Sequence, residues 1–243
     1  MFGSKGRIGV IVPANNSVIE PELWSKLPPD VALFATRVLA KGDLTPAAVK
    51  AMEVEVERPV AELAATGVDV IVYADMVPTF VMEEGWNERR TAKITEQVGV
   101  PGISAWTALR DALSALQVTR FALGTPYPTP VHALTRPFFE GNGYTLSGDA
   151  TLDVLAMSEV HEVAPGRLRG LVEGLDRSGA QAVVLLATDL PTFASIESLE
   201  EITGLPVLTS NQTLLWSALA ALGGGMPTGP MGLIRGLGRL FDN

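Results

Sequence analysis

The chain of 243 residues has no cysteine, and this one absence removes disulfides, thiolate metal sites and thiol nucleophiles together. Histidine is almost as scarce. His132 and His161 are the only two, too few for a histidine-rich metal site. No apolar run approaches the roughly 20 residues that span a bilayer. The opening stretch "MFGSKGRIGVIVP" enters a strand-like segment without the apolar region of a signal peptide. Basic residues are outnumbered, 18 against 27 acidic, for a formal net charge of −9. That balance carries no electrostatic footprint for nucleic acid or an anionic membrane. A soluble, cytoplasmic protein that binds neither is expected. A small anionic ligand is not excluded, because a few backbone N–H groups at a helix start can hold a carboxylate locally.

What is present is globular: 47% hydrophobic and 19% charged residues, in a chain long enough for one large domain or two ordinary ones. "RIGVIVP" (7–13) and "VALFATRVL" (31–39) read as buried strands. Thr45 and Pro46 form a cap followed by a first-turn proline. Behind them Val49, Met52, Val56, Val60 and Leu63 recur at helical spacing, with Pro59 placed to kink or divide the helix and Gly67 to end it. "VDVIVYA" returns as a strand, and helices are expected around 87–98 and 106–116. The second part of the chain repeats the alternation through strands at 120–127, "AVVLLA" and "LPVLTS". Strands alternating with helices imply parallel sheets with helices on their faces.

The alternation also repeats in its wording. "VIVYADMVPTF" (70–80) returns as "VVLLATDLPTF" (183–193), and "IGVIVP" (8–13) returns as "FALGTP" (121–126), both at an offset of 113. "GVPGISA" (99–105) returns as "GLPVLTS" (204–210). Three matched strand ends in one order imply two pseudo-symmetric, Rossmann-like α/β halves. Residues 1–116 plus 212–243 are expected to form the first, with the C-terminal helix and tail, and 117–211 the second. Ligands of open parallel sheets lie beyond the carboxyl ends of strands. Four loops are therefore expected to face one cleft: Pro13–Ser17, Asp75–Thr79, Pro126–Thr129 and Ala187–Thr192.

Several residues in these loops carry chemistry. Asn16 and Ser17 either cap a helix or hold a carboxylate against its free N–H groups. Tyr127 either offers its hydroxyl to a substrate oxygen or packs between prolines. Asn211 either caps the last long helix or reaches the cleft, and capping is the expected role. Asp75 is the most informative: a carboxylate directly after "VIVYA" costs strand propensity and desolvation unless its charge is used. It is either a cap or loop residue, or a general acid/base in a partly dry pocket. A glycine-rich run, "GGGMPTGPMG" (223–232), lacks the pattern of a phosphate loop and reads as a connection or lid.

Taken together, "IGVIVPANNSVIEPE", "VDVIVYAD", "GTPY", "VVLLATDLPT", "TSNQTLLW" and "GRLFD" resemble the aspartate/glutamate racemase superfamily. More narrowly, they resemble its maleate cis-trans isomerase and arylmalonate decarboxylase branch, over nearly the whole chain. The resemblance implies a site between two α/β halves, with no metal or organic cofactor, and matches Asn16 to the substrate-binding asparagine. It also implies cysteines facing each other across the substrate, and here the chain departs. The first such position falls on Asp75 and the second on Ala187, or on Thr188 if the register slips by one.

The expected function is a cofactor-independent isomerase or lyase acting alpha to the carboxylate of a small organic acid, through an enediolate-like intermediate. Asp75 replaces the thiol as acid/base, and Pro13, Asn16, Ser17, Met76, Tyr127, Ala187, Thr188 and Asn211 bind the substrate. Met76, Val77, Trp106 and Met157 are candidates for setting pocket volume. The alternatives are a decarboxylase of substituted malonates specifically, a carboxylate-binding protein that has lost its catalytic thiols, or an enzyme whose thiols were deliberately replaced. Oligomeric state stays open, with homo-oligomers the common soluble assembly.

Overall fold

The structure is a computed structural model that describes residues 2–39, 44–223 and 234–242. The glycine-rich run lies outside the described residues after Gly223, as does the side chain of Met157.

The first half contains β1 (Gly6–Pro13), α1 (Ile19–Lys26), β2 (Val31–Val38), α2 (Pro46–Glu53), α3 (Glu57–Thr66), β3 (Val70–Tyr73), α4 (Pro78–Val81), α5 (Trp86–Val98), β4 (Gly102–Ser104) and α6 (Ala105–Ala115). The second contains β5 (Arg120–Thr125), α7 (Thr129–His132), α8 (Thr135–Gly141), β6 (Thr145–Thr151), α9 (Pro165–Gly174), β7 (Ala182–Leu185), α10 (Ile196–Thr203) and β8 (Val207–Thr209). After them come α11 (Ser210–Leu222) and α12 (Arg239–Asp242). Short 3₁₀ turns at Met157–Glu162 and Phe193–Ser195 complete the described chain.

Each half builds one four-stranded, all-parallel sheet. The strand orders, β2-β1-β3-β4 and β6-β5-β7-β8, are the same order shifted by four. The central strands β3 and β7 are buried at every residue. This is why both read as unbroken apolar runs: a strand covered on both faces has no solvent side to mark.

Local chemistry sets the helix ends. Thr45 caps α2 by accepting from the Ala48 N–H at 3.2 Å. The helix expected over 46–66 is divided, and Pro59 sits in the first turn of α3, where its missing N–H costs no intrahelical bond. Gly67 closes α3 at φ 71°, a left-handed position that suits glycine. The repeated "GISA" and "VLTS" phrases are matched caps. Ser104 with Thr107, and Thr209 with Gln212, form capping boxes at the starts of α6 and α11. The cap of α11 is thus Thr209, not Asn211. Thr209 lies at the extended residue where the strand ends, and Asn211 is already inside the first turn.

The repeat also joins the halves. Helix α11 packs mainly on α6, β3, α1 and β4 of the first half and also touches β8 of the second, on which α12 packs. A cluster of seven rings spans the junction. Phe139, fully buried, touches Phe80 and Trp106 from the first half and Phe121, Phe138 and Tyr144 from the second. Tyr127 joins through Phe80, their centroids 6.3 Å apart. Trp106 is committed to this cluster and does not line the cleft.

Candidate active site

Beyond the carboxyl ends of β1, β3, β5 and β7 lies a cavity of about 40 Å³. The four expected loops all reach it, through Pro13, Asn15 and Asn16, then Asp75 and Val77, then Tyr127, and last Ala187, Thr188 and Asp189. Leu44, Ala48, Val49, Met52 and Val160 complete its apolar lining. Three of these belong to α2, whose helical stripe therefore faces the cavity as well as the core. Among the described residues, no lysine, arginine or histidine lines it.

The halves are tied directly beneath this cavity. The Thr188 hydroxyl donates to the Ala74 carbonyl at 2.9 Å and accepts from Asn16 Nδ2 at 3.1 Å. Asn16 Oδ1 in turn accepts the N–H groups of Val18 and Ile19 at 2.9 and 3.1 Å. Asn16 thus lines the pocket while its side chain holds the start of α1 and bridges the halves. A second tie lies outside. Glu22 of α1 accepts from the Thr192 and Phe193 N–H groups at 2.6 and 2.8 Å and from Asn211 Nδ2 at 2.7 Å. Asn211 also donates to the Thr188 carbonyl at 3.0 Å, so it supports the site loop from behind and does not line the cavity.

The remaining candidates fall on both sides of that line. Ser17 is exposed and faces a separate outer groove with Pro21, Glu22 and Phe193. Met76 is buried at 1% exposure and points into the core, where its sulfur lies 3.7 Å from the Thr79 hydroxyl. Pro13, Tyr127, Ala187 and Thr188 line the cavity. Ala187 holds φ 101°, a left-handed backbone that costs a non-glycine residue about 1–3 kcal/mol. The strain sits where the site loop turns out of β7, and the Ala187 N–H is held by Ser210 Oγ at 3.1 Å.

Asp75 both holds its own loop and lines the cavity. Its Oδ1 accepts the Val77 N–H at 3.0 Å, which supports the turn into α4, and its carboxyl opens into the cavity. Burial pushes its pKa up to about 8; the Val77 N–H opposes this, and the charges of Glu53 and Asp189 add to the rise. Asp189, from the other half, is pushed up to about 7 by burial. Glu53 ends α2, where burial raises it to about 7 against the opposing Tyr73 hydroxyl and the Arg90 guanidinium. Tyr127 is 2% exposed, and burial with the charges of Asp189 and Asp75 holds its phenol well above its usual range. It remains a protonated donor, yet among the described residues its hydroxyl has no partner; neither has Asn15 Oδ1.

Two polar groups in the cavity, Asn15 and Asp189, were not singled out from sequence. Asp189 carried the same signal as Asp75, a carboxylate just past an apolar strand. In the repeat register, however, it aligns with Met76 and not with Asp75. Among the described residues, no group of three or more His, Asp or Glu side chains is clustered to hold a metal ion. No helix among them is long and apolar enough to cross a membrane.

The raised carboxyls set the pH dependence of stability. Asp75, Asp189 and Glu53 keep protons in the folded state that the unfolded chain releases near pH 4. The folded state therefore binds more protons between about pH 4 and 8, and unfolding free energy falls as pH rises through that window. Glu57, held down to about 2 by Lys93 and Gln97, does not contribute there. Calorimetry is expected to show the Tm falling from pH 5 to 8, with Asp75→Asn flattening the slope. A wild-type Tm that stays level would contradict the burial of these groups.

A family model described as arylmalonate decarboxylase matches residues 8–235. A maleate isomerase of Geobacillus stearothermophilus is 30% identical over 229 residues, covering 89% of this chain and 91% of its own. An arylmalonate decarboxylase of Bordetella bronchiseptica is 27% identical, covering 97% and 96%. The maleate cis-trans isomerase of Nocardia farcinica, solved as a mutant with a covalently bound succinylcysteine intermediate, superposes with a TM-score of 0.89 at 30% identity, covering 97% of this chain and 98% of that one.

Proposed function

The chain belongs to the arylmalonate decarboxylase family, and on that footing we propose that it is a cofactor-independent isomerase or lyase working alpha to the carboxylate of a small organic acid, with Asp75 as acid/base. The observation that carries this reading is the placement of Asp75: a half-buried carboxyl, poised near neutral pH, opening into the cavity between the halves. A general acid/base works best with a pKa near the operating pH. The Nocardia relative holds a succinylcysteine intermediate. A chain without cysteine cannot form that bond, so rotation about a thioether-bearing carbon is not open to it.

Proton transfer is open. As base, Asp75 takes a proton from the α-carbon and the C–H electrons move onto the carboxylate as an enediolate. As acid, after loss of CO₂ from a malonate, it returns a proton to the carbanion left behind. In both directions negative charge develops on substrate oxygen, and the unpartnered Tyr127 hydroxyl is the donor placed to meet it. Asn15 Oδ1 offers an acceptor.

The test is incubation in D₂O with maleate, aryl- and alkylmalonates, and α-substituted monocarboxylates, followed by NMR. Deuterium at the α-carbon, or release of CO₂, is expected for at least one class. Saturable binding of these acids with neither outcome would instead support a protein that kept the pocket without the chemistry.

A further inference from the structure

Helix α2 contributes more than an apolar wall to the cavity. Its last residue, Glu53, is 7% exposed and is not among the residues that line the cavity, whereas Ala48, Val49 and Met52 of the same helix are. A buried carboxyl costs desolvation unless its oxygens are used. Both are: Glu53 Oε1 accepts the Tyr73 hydroxyl, and Oε2 accepts from the Arg90 guanidinium at 3.3 Å. Arg90 belongs to α5, and its other terminal nitrogen lies 3.1 Å from Glu57 of α3. Glu57 is bound in turn by Lys93 and Gln97. The Arg90 guanidinium also covers the Trp86 ring, against which Tyr73 packs edge-on.

Tyr73 links this network to the site. It ends β3, and Asp75 follows it by two residues, the spacing that turns side chains to one face of an extended chain. The alternation is visible along the strand, where Ile71 and Tyr73 pack in one apolar cluster and Val72 and Ala74 in the other. The Tyr73 phenol feels the charges of both Glu53 and Asp75, so the three groups form one electrostatic unit.

We propose that Glu53 is a positioning residue for the reaction: gripped by Tyr73 and Arg90, it fastens the α2 wall of the cavity to the strand that delivers Asp75, and its charge governs when Asp75 holds its proton. The inference rests on the acid/base reading of Asp75 and names what regulates that group. An ionised carboxyl disfavours a second negative charge nearby. Glu53 ionises near pH 7, and Asp75 then keeps its proton to about 8. Asp189 acts on Asp75 in the same sense from the other half, and the Tyr127 phenol feels both. Asp189 lines the cavity, but Glu53 acts on the proton from outside it. Loss of the Glu53 charge lets Asp75 ionise at lower pH. Whether Asp75 gives the proton or takes it, the limb of the pH–rate profile that reports it moves to lower pH.

The test is NMR of protein with carbon-13 in its aspartate carboxyls, titrated across the neutral range, the Asp75 signal being identified by its loss in Asp75→Asn. Glu53→Gln keeps the side-chain length and an oxygen for the Tyr73 hydroxyl but carries no charge. It is expected to lower the Asp75 midpoint by at least about half a pH unit, as the coupling of two nearby charges requires. Glu53→Asp restores the charge and is expected to recover at least half of that change. Tyr73→Phe keeps the ring but removes a donor that favours ionised Glu53, so the midpoint is expected to fall here too, and this variant decides the matter should Glu53→Gln not fold. The kcat profile is expected to move with the midpoint. A purely structural role would lower the Tm and leave the midpoint in place, and an unmoved midpoint in the folded variants overturns the proposal. If Asp75→Asn abolishes turnover while the Glu53 variants leave the profile unmoved, the tuning is wrong and the acid/base reading survives. If Asp75→Asn retains turnover, both fall.

Discussion

Asp75→Asn is expected to lower kcat by roughly 10²- to 10⁴-fold, the usual contribution of a positioned acid/base, while the protein stays folded and ligand affinity changes little. The substitution is close to isosteric. The asparagine carbonyl oxygen can still accept the Val77 N–H that Asp75 Oδ1 accepts at 3.0 Å, so the turn into α4 keeps its hydrogen bond. What is lost is the transferable proton. Because burial disfavours the ionised carboxyl, the neutral amide is also expected to leave the Tm unchanged or raised above pH 8. Single-turnover kinetics beside titration of a substrate analogue separates the effects: a fall in kcat at constant affinity identifies proton transfer, whereas weakened binding at constant kcat identifies mere contact. Wild-type turnover in this variant would remove Asp75 from the mechanism.

Phe139→Ala is expected to destabilise the protein by about 3–5 kcal/mol, the range for deleting a buried aromatic ring. For a chain of this size the Tm should fall by roughly 6–20 °C. Phe139 is fully buried and contacts five other rings, two of them in the first half. The cavity left behind would open beside Phe80, the ring against which Tyr127 packs. Activity should therefore suffer at temperatures where the variant is still folded, through the placement of the Tyr127 hydroxyl. Urea denaturation with kinetics at 15 °C measures both effects. A loss below about 1 kcal/mol would mean that the cluster repacks and does not fasten the halves.

Much of the architecture was legible in residues with short-range roles. The apolar runs at 8–13 and 183–187, the Thr45–Pro46 cap, and Gly67 after its helix act through bonds to near neighbours, so their patterns read directly. The repeat offset of 113 carried the pseudo-symmetry for the same reason: each copy encodes its own strand and turn. The split between α2 and α3 was also visible, in Pro59. Less visible was the double duty of Val49 and Met52. Their helical spacing marks a buried face but does not distinguish a face on the core from one on a cavity.

The site was legible in part, and the omissions have a common cause. Asp75 stood out because it breaks an apolar strand, and Tyr127 and Thr188 followed from their places in the repeat. Ser17 and Met76 share those loops, and Asn211 opens the helix beside them, yet all three sit outside the cavity, while Asn15 and Asp189 sit within it. Neighbouring loop residues differ only in direction, and direction is set by what each side chain packs against. Asn211, for instance, turns toward Glu22, 189 positions earlier in the chain.

From its own sequence the protein determined two like α/β halves, a cleft at their strand ends, a carboxyl directly after an apolar strand, and the exclusion of thiol chemistry. The tertiary structure alone decided that Asp189 joins Asp75 and that Asn16 becomes a bridge. The Asn16–Thr188 bond closes across 172 positions. Periodicity and capping act within a few residues, but the meeting of two strand ends from separate sheets depends on how both halves pack.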